Sequence, residues 1–197
     1  MLVEPVTLEG RFVRLEPLDK THLDGLCRVG LEAELWRWTV GSIATRDDME
    51  RYIDTAIDER SRGLSLPFVT VDKESDTLVG STRFGNIDRG NRKAEIGWTW
   101  IGQKWQRTYV NTEAKLLMLT HAFEIWKCVR VELKTDSMNQ KSRSAILRMG
   151  ATEEGTLRRH MITESGRYRD SVYFSIIEDE WPTVKAALIE NLNTTRK

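Results

Sequence analysis

Cysteine is almost missing from this chain: Cys27 and Cys128 are the only two in 197 residues, and they stand in unrelated apolar surroundings. Two isolated thiols cannot staple a scaffold, so both are expected to be buried and reduced, as in a cytoplasmic protein. Net charge is missing too, because 30 Lys and Arg are balanced by 30 Asp and Glu. A neutral chain gives no support to a long nucleic-acid or anionic-membrane footprint, so neither partner is expected. No apolar run approaches the roughly 20 residues that span a bilayer. The opening MLVEPVTLEGRFVRLEP is charged and has no signal-peptide core. His22, His121 and His160 show no metal-ligand spacing with cysteine or carboxylates, so no metal is expected. Neither a G-x-S-x-G nucleophile elbow nor a Walker loop occurs, which leaves hydrolase and phosphoryl-transfer chemistry without a signature.

What is present is a patterned globular chain. At 197 residues, with no recognisable linker, residues 1–197 are expected to form one domain with a sizeable core. Residues 11–16 alternate apolar and polar types, as a strand does. A helix is expected over 19–29. A second, capped by Thr45 with Asp48 three residues on, runs to about Arg60, before Gly63. Residues 66–72 and 77–86 read as a hairpin around a polar turn, and 94–101 alternate again. Residues 112–126 form a helix apolar on most faces, with His121 packed inside it. A strand over 129–135 and a helix over 139–149, stopped by Gly150, follow. A second hairpin joins 156–162 to 170–177. The last helix opens at Asp179 with Pro182 in its first turn, and the polar tail NLNTTRK is expected to fray. The order predicts an α/β fold: a mixed, mostly antiparallel sheet of about seven strands, a central β-α-β unit and helices on both faces.

The most informative stretch is EIGWTWIGQKWQRTYVNTEA, from Glu95 to Ala114. It reads as a strand, a donor-rich loop and a helix start, a layout that presents backbone N–H groups to an anion. A phosphorylated cofactor is the natural candidate.

This stretch resembles the GCN5-related N-acetyltransferase (GNAT) family, in the branch with the ribosomal-protein N-terminal acetyltransferases. That branch reads E-I-G-Y-x-[LIV]-x-x-x-x-W-G-x-G-[YV]-A-T-E-A, then N-x-x-S-x-x-x-x-x-x-G-[FA]-x-x-E-G-x-x-R. Asn139, Ser142, Gly150, Ala151, Glu154, Gly155 and Arg158 fall at the second set of spacings, and Arg169, Asp170 and Phe174 match a further R-D-x-x-x-[YF] signal loosely. The resemblance covers roughly residues 8–182. It implies the GNAT fold and an acetyl-CoA-dependent transfer of acetyl to a primary amine, on a protein N-terminus or a small molecule, by direct attack in a ternary complex. The alternative is a module of the same fold that binds acyl-CoA with little or no turnover. The pyrophosphate loop motivates it: the family has [QR]-x-x-G-x-[GA], and this chain has Gln106, Arg107, Thr108, Tyr109, Val110 and Asn111, with Tyr109 and Asn111 in place of the two small residues. Tyr109 keeps its N–H and serves if its side chain points away, Asn tolerates unusual backbone angles, and Arg107 and Thr108 add donors.

The resemblance also distributes roles. Residues 106 to 112, Thr112 included, hold the diphosphate. The strand around Trp98 to Ile101 splays from its neighbour and offers the backbone of Trp100 and Ile101 to the pantetheine arm and the thioester oxygen. Asn139 contacts pantetheine or caps its helix, and Ser142 protonates or hydrogen-bonds the leaving thiolate, or else satisfies the helix backbone. Glu95 is the candidate base, unless strand alternation turns it away from Trp98 and Trp100; Asp88 and Glu132 are weaker candidates. Trp36 and Trp38, with Trp98, are candidate walls of the acceptor pocket, against a packing or dimer role that leaves a homodimer open.

Overall fold

The computed structural model describes residues 1–194, so residues 195–197 of the tail expected to fray lie outside the described residues. The strands are β1 (Leu8–Glu9), β2 (Val13–Pro17), β3 (Leu66–Asp72), β4 (Thr77–Asp88), β5 (Lys93–Ile101), β6 (Arg130–Asp136), β7 (Thr152–Ile162) and β8 (Tyr168–Ile177). The helices are α1 (Leu23–Gly30), α2 (Ala33–Trp36), α3 (Arg46–Ser61), α4 (Tyr109–Thr120), α5 (Gln140–Arg148) and α6 (Trp181–Thr194). The strands form one sheet in the order β1-β2-β3-β4-β5-β6-β8-β7. Every neighbouring pair is antiparallel except β5 and β6. The eighth strand, beyond the seven expected, is the two-residue β1, too short to show alternation.

Local chemistry sets the element ends. Thr45 Oγ1 accepts the Asp48 N–H while Asp48 Oδ2 accepts the Thr45 N–H at 2.8 Å, a complete capping box for α3. Asp19 and His22 make the same reciprocal pair around a tight turn ahead of α1. The helix expected to start at Thr112 starts at Tyr109, because Thr108 Oγ1 caps it by accepting the Val110 N–H at 3.3 Å. Its continuation, His121–Ile125, widens into i→i+5 bonding, with the Trp126 N–H reaching His121 O at 2.9 Å. His121 is buried between Phe84 and Trp126, and desolvation lowers its pKa. Leu192 is buried, so α6 stays ordered through Thr194 into the segment expected to fray.

β3 is buried along its whole length, and its alternate residues feed two cores. Leu66 and Phe68 join α4 and α6 residues such as Val110, Met118, Trp181 and Leu188 on one face. Val69 and Val71 join Leu26, Trp36, Met49, Ile53 and Trp100 on the other. Helices therefore cover both faces, as expected.

Two features position the functional residues. Glu113, one turn inside α4, accepts the N–H groups of Arg11 (2.8 Å), Phe12 (2.7 Å) and Val13 (2.6 Å). This buried carboxylate ties the helix to the β1–β2 turn. Gly10 is required there, since a Cβ would come within 2.7 Å of that carboxyl group. The second feature is a fork in the sheet. β5 pairs with β6 over Lys93–Arg130, Ala94–Val131 and Glu95–Glu132 only, while β6 continues beside β8 to Asp136. From Ile96 onward β5 keeps only its β4 partner.

Glu113→Ala should cost about 3–5 kcal/mol in urea unfolding, because three buried N–H groups lose a charged acceptor together. Amide exchange at Phe12 and Val13 should quicken selectively. A loss below about 1 kcal/mol would show that the clamp contributes little.

Candidate active site

The fork opens where β5 carries a bulge. Arg83 faces Gly97 and Ser81 faces Trp100, so Trp98 and Thr99 share one position of β4. Trp98 takes up the extra residue at φ +50 and is 43% exposed. Its indole lies across Gly85, where a Cβ would meet the ring at 2.4 Å. The bulge changes the face on which Trp98 lies. Lys134 Nζ donates to Glu95 Oε2 at 2.9 Å and stands 5.9 Å from the Trp98 ring centre, so Glu95 and Trp98 share a face. Simple alternation had left them on opposite faces.

On that face Glu95 is 2% exposed. Its Oε2 also accepts from Asn86 Nδ2 at 2.7 Å, and its Oε1 has no hydrogen-bond partner among the described residues. The other carboxylates considered are committed elsewhere. Asp88 is held by Asn91 at 2.9 and 2.7 Å, which lowers its pKa, and lines a separate cleft of about 600 Å³ that contains no other expected residue. Glu132 takes Arg130 at 2.9 Å and Lys93 at 3.3 Å.

The tryptophans divide. Trp36 is 9% exposed, donates Nε1 to Gly30 O at 2.7 Å and packs on Trp100 at 5.5 Å. It is a core residue that backs the wall, a correction to the expectation that it lines the pocket. Trp100 is also buried, which leaves its backbone rather than its ring to serve a ligand. Trp38 is half-buried, with Arg37 and Arg167 over its ring at 4.9 and 5.6 Å. Its segment is strapped to the β7–β8 turn: Glu164 N–H donates to Val40 O, and Ser42 N–H to Glu164 Oε2, both at 2.9 Å.

At the far end of β5 lies the donor-rich loop. Thr108 donates to Trp105 O at 2.7 Å, and the exposed Gln106 donates Nε2 to Ile101 O at 3.0 Å, which fastens the loop to the end of β5. The Tyr109 hydroxyl reaches Asp72 and its ring lies 5.2 Å from Phe12; the side chain points away from the loop. Val110 is wholly buried, Asn111 and Thr112 half-buried in the first turn. Asn111 is helical, so its tolerance of unusual angles is not called on. The left-handed residue is Arg107, exposed at φ +62, a conformation that costs a non-glycine residue about 1 kcal/mol.

α5 begins just beyond β6. Asn139 Oδ1 accepts the Ser142 N–H at 3.0 Å, so Asn139 is the cap. The half-buried Ser142 hydroxyl makes no hydrogen bond to any described residue and remains available.

Sequence reasoning missed Lys115. It is 4% exposed on α4, and among the described residues its Nζ meets only Thr99 Oγ1 at 2.6 Å and Thr82 Oγ1 at 3.2 Å. Desolvation brings its pKa down to about 7. A lysine at a buried position of an apolar helix was the available signal. Lys134, Asp136 and Arg167 were missed too, and Arg169 was noted only as part of a motif with no role, because their clustering depends on strand order.

Residues 13–152 match the family described as the Acetyltransferase (GNAT) domain, and the chain belongs to that family of acetyltransferases. The putative ribosomal N-acetyltransferase YdaF of Bacillus subtilis is 36% identical over 105 residues. That alignment takes in 53% of this chain and 56% of the relative, so the chain spans about half the length of this relative. A crystal structure of a GCN5-related N-acetyltransferase from Brucella melitensis superposes with TM-score 0.90 at 33% identity, covering 96% of this chain and 86% of that one. Mycobacterium smegmatis RimJ in complex with CoA-disulfide superposes with TM-score 0.78 at 24% identity, covering 91% and 88%, a likeness of fold.

Lys115 gives the folded protein a pH signature. The unfolded chain holds this proton up to about pH 10.5, the folded one only up to about 7. The unfolded state therefore binds more protons between those limits, and stability rises with pH across them. Relative to Lys115→Met, the wild type should gain several kcal/mol between pH 7 and pH 10 in urea unfolding, with an upper bound of about 5. A gap that does not change with pH would contradict the burial of this amine.

Proposed function

We propose that this acetyltransferase uses acetyl-CoA as donor and a primary amine as acceptor, by direct transfer within a ternary complex. The observation that carries the reading is the fork between β5 and β6, which runs toward the N-terminus of α4. The unpaired backbone of β5 suits an extended arm bearing amides. The α4 amides, the Thr108 backbone and Arg107 suit the diphosphate, and the Tyr109 side chain leaves that space clear. The RimJ structure holding a CoA-disulfide supports the donor class by likeness of fold. The name of the Bacillus relative, a putative ribosomal N-acetyltransferase, supports a ribosomal amine as one acceptor. The whole chain acts as one catalytic unit in the cytoplasm.

In this mechanism the neutral amine attacks the thioester carbonyl carbon. The backbone near Trp100 and Ile101 supplies an N–H to the oxygen that gains charge. The C–S bond then breaks. The Ser142 hydroxyl donates to the departing sulfur, and Glu95 Oε1, the oxygen without a partner, receives the amine's proton through water. The Glu95–Lys134 ion pair fixes the direction of that carboxylate.

Calorimetry should find acetyl-CoA binding in the micromolar range, about −7 to −8 kcal/mol. Arg107→Ala should weaken it by about 1–3 kcal/mol. No binding at millimolar acetyl-CoA would refute the loop assignment. Binding without CoA release from any amine in a panel would favour the module without turnover.

Ser142→Ala should lower kcat about 10- to 100-fold while acetyl-CoA affinity holds. An unchanged kcat would return Ser142 to a structural part in α5.

A further inference from the structure

The acceptor face holds one more cation than its carboxylates can match. Glu95 is paired with Lys134 at 2.9 Å. Asp136, fully buried at the end of β6, accepts the Met138 N–H at 2.9 Å and Arg167 Nη2 at 2.5 Å. Arg169 is the cation left over. It is 7% exposed, and the approach of its Nε to Asp136 is 3.9 Å, beyond hydrogen-bond range. No hydrogen bond joins its guanidinium to any described residue, and its Nε is a buried donor without an acceptor.

Position makes this more than a packing accident. On β8, Arg169, Ser171 and Tyr173 alternate onto one face; Tyr173 is paired with Lys134 and Ser171 with Asp136. Lys134 Nζ lies 5.8 Å from the Tyr173 ring and bonds Glu95, so Arg169, Tyr173, Lys134 and Glu95 share the face that Trp98 occupies. Burial opposes the charge on Arg169, and both Asp136 and Glu95 act to keep it. A buried guanidinium without a hydrogen-bonded anion is costly, and its planar fork fits a carboxylate through two parallel bonds. The donor's phosphates are assigned to the N-terminus of α4, which packs on the opposite face of the sheet with Ile96, Leu133 and Phe174, so they do not supply that anion.

We infer that the acceptor is a primary amine that itself carries a carboxylate, gripped by Arg169 while the amine lies beside Glu95. This rests on the transferase reading and names its substrate class. The carboxylate belongs to a free amino acid or to an acidic residue at a polypeptide N-terminus, and the two sources separate by experiment.

The test uses the full chain at saturating acetyl-CoA and matched acceptors, with kcat/KM compared per concentration of unprotonated amine. One arm sets amino acids against their amides; the other sets peptides beginning with Asp or Glu against those beginning with Asn or Gln. The carboxylate-bearing member should be preferred at least about tenfold in one arm, and that arm names the source. Arg169→Gln should bring the ratio toward one, and Arg169→Lys should keep part of it, with calorimetric acetyl-CoA binding reporting that each variant is folded. The wild-type ratios need no variant to fold. Ratios near one in both arms, or a ratio untouched by Arg169→Gln, overturn the inference while leaving acetyl transfer standing. No acetylation of any amine removes the transferase reading and the inference with it.

Discussion

The structure turns on strand pairing that stops early. A sheet satisfies its backbone by continuing, yet β5 and β6 part after three residue pairs. Backbone polar groups seldom stay unpaired away from water, so a strand that leaves its neighbour is either solvated or completed by something else. Here the parting strand lies between two packed layers and ends at a loop that opens a buried helix. The same parting lets Lys134 reach across from β6 to Glu95.

The two faces of the fork differ in chemistry. Toward α4 the polar groups form a small network, Lys115 with Thr82 and Thr99, set in an apolar core. On the other face Glu95, Lys134, Asp136 and Arg169 gather from β5, β6 and β8 with Arg167 of the β7–β8 turn beside them, and Arg83 is stacked between Tyr52 and Trp98 and paired to Glu59 at 2.8 Å. A charge-rich face beside a nearly dry one suits a reaction in which a polar acceptor meets a thioester threaded between the layers.

Much of this was legible in the sequence, because the relevant signals are local. Thr45 with Asp48, Thr108 before α4 and Asn139 before α5 announce helix starts through side chains that reach only three residues. The Glu95–Ala114 motif and its family follow from spacing. What stayed hidden depends on register and strand order. No residue type marks the bulge at Trp98; it arises because two residues of β5 share one position of β4, and that reverses the reading of Glu95. Trp36 looked like pocket lining because its aromatic spacing matched no core helix, whereas α2 is a four-residue turn that tucks the indole under Trp100. Arg169 and Asp136 are 33 residues apart in sequence and meet only because β8 inserts between β6 and β7.

The bulge also bears on how such a site can change over generations. Exchanging the side chain at Trp98 alters one surface. Deleting that extra residue would close the bulge with Thr99 still opposite Thr82 and Trp100 still opposite Ser81, so Thr99 keeps Lys115 and Trp100 keeps its core while the indole over Gly85 is lost. Lineages sharing this architecture can then lose or gain the extra residue here without disturbing the strand beyond it, and aligned lengths between Glu95 and Thr108 should differ at this point before they differ elsewhere in the strand.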